Sequence, residues 1–242
     1  MGVVCATLSS CNCNVKTLRK TQTNSAGSKQ TSQAQEKSEA TVDKPKITLN
    51  ETHSQNTLPT MCTPNPDSSV LSMNVIPQEE EYWCWAACGQ MAMEKLPTDP
   101  VTQCDQANKS FNLDTCCQSP RPTCNRPGLP RFDQYGFDPD TTFDQALPWD
   151  QIKKQIDCER RPFCGSWRYT DDDVRCSGTN RGPDTSGHMV VISGYKVVNT
   201  KHWVKILDPY PKNKGATYWL RYSDYVCGSG YAHWNDYYNI KK

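Results

Sequence analysis

A stretch rich in Ala, Met, Glu and Gln runs from Cys84 to Lys95, and these residue types favour a helix. Its apolar positions surround the helix axis instead of forming one stripe, which is typical of a helix buried in a core. The Leu96-Pro97 pair that follows is a stop signal. We therefore predict a buried helix over Cys84–Lys95.

Three later stretches have the pattern of β-strands. Met189–Tyr195 is a run of apolar, β-branched residues, and Trp203–Leu207 alternates in character. A turn is predicted between them around Asn199-Thr200, and Tyr218–Tyr222 is the third candidate strand. A helix followed by antiparallel strands predicts an α+β domain.

The region between the long helix and the strands is poor in regular patterns. Residues 97–148 are rich in Pro, Asp, Cys and Gly, which predicts a loop-rich layer with one short helix around Cys104–Ser110. A second short helix is predicted over Gln151–Asp157, where Ile152 and Ile156 are four residues apart. Asp150 is the predicted cap of that helix.

The first quarter of the chain differs in composition from the rest. Residues 1–81 contain no aromatic residue, and Lys16 to Thr60 is dominated by polar side chains. Such a stretch buries too little apolar surface to offset its conformational entropy. We predict a disordered tail over residues 1–60 and one folded domain over residues 61–242.

Charge and hydropathy exclude some functions. Lys and Arg number 27 and Asp and Glu 26, so the net charge is +1 and offers no field for steering toward nucleic acid. No run of 18 or more apolar residues is present, and we therefore expect no membrane span. No C-x2-C pair occurs, so a structural zinc site is poorly supported. We expect no metal, no cofactor and a monomer.

Cysteine is abundant, with 14 residues in the chain. Cysteines at this density are typical of disulfides in an oxidising compartment. Apart from Cys84, the region 61–242 has ten cysteines, which are enough for five disulfides. We expect Cys88 to be a disulfide partner, with Cys116 or Cys117 as its mate.

The N-terminus allows three interpretations. Leu8-Ser9-Ser10-Cys11 has the form of a bacterial lipobox, in which Cys11 would carry lipid, although the apolar stretch before it is short. Myristoylation at Gly2 with palmitoylation at Cys5 is a weaker match, because Ala6 stands where Ser or Thr is required. An unmodified tail is the third. We expect a secreted, periplasmic or surface protein, tethered as a lipoprotein if the lipobox is used.

Cys84 stands at the predicted start of the buried helix, where backbone N–H groups and the helix dipole favour a thiolate. Gln78 precedes it by six residues. The amide of Gln78 and the backbone N–H of Cys84 could both donate hydrogen bonds to an oxyanion beside the sulfur. This pattern is typical of nucleophilic catalysis by cysteine.

Gln78-x5-Cys84-Trp85-Ala86 resembles the nucleophile segment of papain-like cysteine proteases. Gly187-His188-Met189 resembles the run in which that family's catalytic imidazole opens a strand, and Asp208-Pro209 resembles the position of its orienting carboxylate. The closest likeness is to small bacterial secreted or effector-type members. The segments of this chain that carry the likeness are Cys84–Cys88, Gln103–Asp105, Cys116-Cys117, Cys124-Asn125 and His233–Tyr238.

The resemblance implies a papain-like fold, in which an N-terminal helix carrying the nucleophile packs against an antiparallel sheet or half-barrel. It also implies a nucleophile at Cys84, a base at His188, an orienting carboxylate at Asp208 and an oxyanion donor at Gln78. The substrate would be a protein or peptide. Tyr82-Trp83 replaces the small residues that precede the nucleophile in plant and lysosomal members, so their specificity pockets do not transfer.

Three other histidines compete with His188 for the role of base. His53 lies in the polar tail, His202 is expected in an exposed turn, and His233 lies among aromatic residues where packing is expected. His188 has a glycine before it and a predicted buried strand after it. We therefore assign the base to His188.

Two alternatives to an endopeptidase stay open. The same Cys-His-Asp set could serve an amidase, a transamidase or a deamidase, because these reactions share the nucleophile and differ in the acceptor. The chain could also be a catalytically silent binding module stapled by disulfides. That alternative predicts that the Cys84 sulfur is oxidised or replaceable.

Overall fold

The computed structural model describes residues 62–169 and 187–242. The predicted disordered tail over residues 1–60, with its candidate lipobox at Cys11, lies outside the described residues. The described residues belong to one compact unit. No helix in these two ranges is long and apolar enough to cross a membrane.

The described chain contains helices in its first half and strands mainly in its second. In chain order the elements are β1 (Ser68–Val70), α1 (Cys84–Met93), α2 (Gln103–Phe111), a 3-10 turn (Phe132–Tyr135), β2 (Asp138–Thr141), α3 (Trp149–Lys153), a π turn (Lys154–Cys158), β3 (Phe163–Tyr169), β4 (Gly187–Val198), β5 (Lys201–Asp208), β6 (Ala216–Arg221), α4 (Tyr222–Val226), β7 (Cys227–Gly228) and β8 (Tyr231–Lys241).

Within the described ranges, the strands form one antiparallel sheet with the order β2-β8-β3-β4-β5-β6. Two short strands add to it, since β1 pairs with β4 and β7 with β8. The first nine residues of β4 are buried, because this central strand is covered on both faces. The three predicted strands correspond to β4, β5 and β6, except that Tyr222 begins α4.

Helix α1 is buried at every position except Gln90 and packs against β4. Its apolar side chains and those on one side of the sheet form one core cluster, which includes Met189, Val191 and Leu207. A second cluster includes Ile152 of α3 and the remaining apolar side chains of β4 and β5. The predicted α+β class, with a buried helix packed on an antiparallel sheet, is confirmed.

The prediction for the short helix near Asp150 was wrong in detail. Helix α3 begins at Trp149, the N-cap position is Pro148, and no side chain caps the helix. Asp150 lies inside the first turn and pairs with Lys153 at 2.9 Å instead. The chain then continues as a π turn where an ordinary helix was predicted.

The predicted presence of disulfides is confirmed, but the predicted number of five and the pairing of Cys88 with Cys116 or Cys117 were wrong. Three disulfides join described residues, namely Cys62–Cys158, Cys104–Cys117 and Cys116–Cys124. Cys227 is also disulfide-bonded. Cys84, Cys88 and Cys164 are buried thiols. Cys116 and Cys117 pair with partners 8 and 13 residues away, because closing a short loop costs little entropy. Cys88 lies inside the core instead of at a disulfide.

Candidate active site

Cys84 is the first residue of α1, and its side chain is shielded from solvent. The N-cap residue, Trp83, makes no side-chain capping bond, and the first turn contains no acidic residue. The dipole at this helix start is therefore not neutralised by a carboxylate of the helix itself. A thiolate is favoured at such a position.

Two tryptophans fix the start of α1 to the loop that follows α2. The indole Nε1 of Trp83 donates to Cys124 O at 2.7 Å, and that of Trp85 donates to Arg126 O at 3.2 Å. The Trp85 ring lies so close to Gly128 that a Cβ there would be 2.6 Å from the ring. Since Cys124 is joined to Cys116 by a disulfide, the cysteine-rich layer holds the helix start in place.

Gln78 is fully buried, and its side-chain amide donates to two backbone carbonyls, Glu80 O at 2.9 Å and Glu81 O at 2.7 Å. These bonds shape the turn that leads into α1. The backbone N–H of Gln78 donates to Pro209 O, and its carbonyl accepts from Asn213 N, both at 3.0 Å. The segment of Gln78 is therefore attached to the loop that follows Asp208. Its role toward an oxyanion stays a prediction.

Gln103 of α2 is a residue whose part in this site sequence reasoning missed. Its buried side chain donates to Pro77 O at 2.8 Å and accepts from Glu79 N at 2.9 Å. It therefore brackets Gln78 from both sides along the chain. A glutamine beside a cysteine in a short helix gives no signal that distinguishes this contact from surface exposure.

His188 and Asp208 form a buried pair on neighbouring strands. The His188 Nε2 atom lies 2.6 Å from Asp208 Oδ1. His188 is the second residue of β4, and Asp208 is the last residue of β5, as the sequence predicted for the strand ends. The rings of Trp167 and Tyr210 flank the imidazole, each with its centroid 6.4 Å away.

Two further donors converge on the carboxylate of Asp208. The backbone N–H of Tyr210 donates to Oδ1 and the hydroxyl of Tyr218 donates to Oδ2, both at 2.9 Å. Burial opposes ionisation of Asp208, but the charge on His188 and the hydrogen bonds from His188, Tyr210 and Tyr218 outweigh it. The pKa of Asp208 therefore lies below its ordinary value.

Burial and the neighbouring carboxylate raise the pKa of Tyr218 well above its ordinary value, so the hydroxyl stays a proton donor. Ionised Asp208 accepts the hydrogen on Nε2 of His188, which selects the tautomer with a basic Nδ1. Nδ1 is then the ring nitrogen that would accept a thiol proton. The packing of α1 against β4 brings the elements of Cys84 and His188 together.

A second histidine–carboxylate pair lies in the core. His233 Nε2 is 3.2 Å from Oδ1 of Asp236, which is fully buried. Asp236 also accepts from the Tyr225 hydroxyl and, at 2.5 Å, from Leu147 N. His233 packs against the Tyr225 ring, as its aromatic surroundings predicted. His202 is exposed but lies in β5, not in a turn, and stacks on Trp149 at 4.2 Å.

Within the described residues, one group has the composition of a metal site. Cys104, Asp105 and Cys117 have candidate ligand atoms within 4.8 Å of one another. Both sulfurs are bound to each other in a disulfide, so they offer no thiolate to a metal. The group does not fit a metal ion.

A digestive procathepsin L 3 from the larval midgut of Tenebrio molitor is similar to the chain at 13% identity. The likeness covers 73% of this chain and 70% of that chain, with a TM-score of 0.41. A comparison with curated proteins finds none that matches. The family model described as Peptidase_C39 like family matches residues 70–241.

The family match defines a cysteine peptidase, which is a hydrolase. Because the family model covers most of the described domain, the chain belongs to the Peptidase_C39 like family. The predicted class of cysteine peptidase is thereby confirmed.

Proposed function

We propose that the protein is an endopeptidase in which Cys84 is the nucleophile, His188 the base and Asp208 the group that orients the base. The observation that carries this proposal is the buried contact of 2.6 Å between His188 Nε2 and Asp208 Oδ1. It fixes the imidazole on a strand that packs against the helix opened by a buried thiol. A cysteine, an oriented histidine and a carboxylate are the set required for acyl transfer.

In this mechanism the Cys84 thiol transfers its proton to Nδ1 of His188, and the thiolate attacks the carbonyl carbon of a peptide bond. The resulting oxyanion accepts hydrogen bonds from the backbone N–H of Cys84 and from Gln78. Gln78 would redirect one of its bonds from Glu80 O or Glu81 O toward the oxyanion. His188 protonates the leaving amine. A water molecule then gives a proton to His188 and attacks the acyl-enzyme, which releases the carboxylic acid, and the proton returns from His188 to the sulfur of Cys84.

Substitution of the nucleophile tests this proposal. Cys84→Ala should abolish cleavage of denatured protein substrates, a fall of about 10⁴-fold or more. Cys88→Ala is the matched control, because it removes another buried thiol from the same helix. It should keep activity while unfolding at lower denaturant concentration. Equal cleavage by wild type and Cys84→Ala would remove the proposal.

Product analysis separates peptide hydrolysis from the related acyl transfers. Mass spectrometry of a digested peptide library should show new termini formed with uptake of one water. Amine adducts would indicate a transamidase instead, and conversion of Gln to Glu a deamidase. Alkylation of the unreduced protein at neutral pH should modify Cys84, whereas a silent binding module would give no such product.

We also propose that the protein acts in an oxidising compartment outside the cytoplasm, anchored through Cys11. The disulfides of the described domain are compatible with an extracellular protein. Mass spectrometry of the N-terminal peptide from a membrane fraction should find a lipid-modified Cys11. Recovery of that peptide unmodified from the native host would refute the anchor. Protease digestion should leave a stable core beginning near residue 61.

A further inference from the structure

One face of strands β4, β5 and β6 carries a cluster of cations and indole rings. We call Lys196, Trp203, Lys205, Trp219 and Arg221 the basic–aromatic patch. The strand register aligns Lys196 with Trp203 and Arg221 in one row and Lys205 with Trp219 in the next. Lys196 Nζ lies 4.2 Å from the Trp219 ring centroid, and Arg221 lies 5.5 Å from that of Trp203.

The cations of this patch form no salt bridge with a carboxylate in the described part of the chain. Six other Lys and Arg residues of the described ranges form salt bridges with carboxylates, namely Arg121, Arg131, Lys153, Arg160, Arg168 and Lys212. Within residues 62–169 and 187–242, no such bridge involves Lys196, Lys205 or Arg221. An indole ring attracts a cation through its quadrupole but carries no net charge. The rings therefore position the cations and leave their charge for an anion.

A cavity of about 560 Å³ continues the basic surface at the end of β6. It is lined by Lys201, His202 and Arg221 and by three residues of α4, and Arg221 belongs to both the cavity and the patch. Lys201 also forms no salt bridge with a described carboxylate. The acidic residue that follows in α4, Asp224, accepts a hydrogen bond from Ser223 at 3.2 Å instead.

Two features favour a polypeptide over a nucleic acid as the ligand. Strand β6, which carries Trp219 and Arg221, is an edge strand of the described sheet. Peptides commonly add to such edges through main-chain hydrogen bonds. The patch also spans only three strands, roughly 10 Å at the usual strand spacing, whereas nucleic-acid sites neutralise many phosphates.

We propose that the basic–aromatic patch and its adjoining cavity bind an acidic segment of a polypeptide. The carboxylates of the segment contact Lys196, Lys205 and Arg221, and one acidic side chain enters the cavity beside Lys201. The segment lies along the outer edge of β6. This binding does not use Cys84, so it can be tested independently of the proposed peptidase mechanism.

The test uses the full chain carrying Cys84→Ala, so that a bound peptide is not cut. A fluorescein-labelled peptide of alternating Glu and Ser is titrated by fluorescence anisotropy at low and at moderate salt. The double variant Lys201→Gln/Lys205→Gln should weaken binding by about tenfold, and binding should weaken further with added salt. Lys154→Gln/Lys241→Gln makes the same charge change elsewhere and should leave the affinity unchanged.

Two further measurements test whether charge is responsible for binding. Lys201→Arg/Lys205→Arg keeps the charge and should keep the affinity, which separates charge from loss of folding. A peptide of alternating Gln and Ser should not bind. Absence of binding by the Glu peptide, or equal losses in the two Gln doubles, would overturn the proposal. Tighter binding of an oligonucleotide through the same lysines would overturn the assignment to a polypeptide.

Discussion

At the scale of single residues, the arrangement around Asp208 makes a buried charge tolerable. An isolated carboxylate in a core would take up a proton instead of staying ionised. Three donors from three positions, namely His188, Tyr210 N and Tyr218, converge on its two oxygens. A carboxylate held in this way stays ionised and fixes the tautomer of His188. The orientation of the imidazole therefore depends on Tyr218 as well as on Asp208.

Tyr218 should act as a positioning residue. Tyr218→Phe removes one hydrogen bond to the ionised carboxylate, a loss of about 1.5 kcal/mol. The pKa of Asp208 should rise as a result, because its ionised form loses a hydrogen-bond donor, so the acidic limb of the kcat/KM profile should move to higher pH. Tyr222→Phe is the control, because it removes a hydroxyl that donates to Leu147 O. Identical acidic limbs in the two variants would exclude the positioning role.

The lowered pKa of Asp208 also predicts how stability depends on pH. A carboxylate whose pKa is lower in the folded state stabilises it above the unfolded pKa of about 3.9. That stabilisation disappears as the pH falls through the lower folded value. The difference in free energy of unfolding between wild type and Asp208→Asn should therefore be largest near neutral pH and shrink below about pH 4.

Urea denaturation at pH 7 and at about pH 3 measures this difference. Asp150→Asn serves as the control, since the Asp150 side chain is 89% exposed and its substitution should change little at either pH. A difference for Asp208→Asn that stays constant or grows on acidification would contradict the assignment of an ionised, stabilising carboxylate.

Sequence could predict the His188–Asp208 pair but not its supports. A histidine that opens a strand and an aspartate that closes the next one carry a local signal on each residue. Tyr218 and Gln103 carry none, because their contacts depend on the register of β5 with β6 and on the docking of α2. Such contacts join residues distant along the chain and follow from packing, not from local composition.

At the scale of elements, β3 and β8 show why the sequence pattern predicted only three strands of the sheet. Strand β3 contains Cys, Gly, Ser and Arg, yet its first six residues are buried. The buried positions of β8 include His233, Asp236 and Ile240, whose spacing departs from a period of two because the pairing with β3 contains a bulge. The apolar run that indicated β4 and the alternation that indicated β5 are therefore absent from both strands.

Asp236 is the residue that joins β8 to its neighbours. Its side chain accepts from Leu147 N before α3 and from the Tyr225 hydroxyl in α4. Asp236→Ala would leave these buried donors without an acceptor, and we expect it to lower the free energy of unfolding by about 3 kcal/mol. Urea denaturation monitored by tryptophan fluorescence measures the change.

The control for this substitution is Asp140→Ala in β2, the strand that pairs with β8. Asp140 accepts from Asn239 Nδ2 at 2.8 Å on the surface, so its loss should change the free energy of unfolding by about 0.5 kcal/mol or less. Comparable losses in the two variants would show that the buried network around Asp236 is not a major contributor to the stability of the sheet.

At the scale of the whole molecule, the disulfides connect parts of the chain that the sheet leaves apart. Cys62–Cys158 joins the segment before β1 to the π turn across 96 residues, whereas Cys116–Cys124 closes a loop of 8. Linking distant residues restricts the unfolded chain more than linking close ones. By loop size, the long disulfide stabilises the fold by about 4.7 kcal/mol and the short one by about 2.5 kcal/mol.

Removal of each disulfide by double Cys→Ala substitution should therefore have unequal consequences. Loss of Cys62–Cys158 should lower the free energy of unfolding more, while activity at low temperature persists, because that disulfide joins the segment before β1 to the π turn and not to α1. Loss of Cys116–Cys124 should cost less stability but should lower kcat/KM, since Cys124 O accepts the bond from Trp83 that holds Cys84. Calorimetry and kinetics on the two double variants measure both effects. A larger stability loss on removal of Cys116–Cys124 would show that loop size does not determine the contribution of each disulfide to stability. An unchanged kcat/KM in that variant would show that this disulfide does not position the nucleophile.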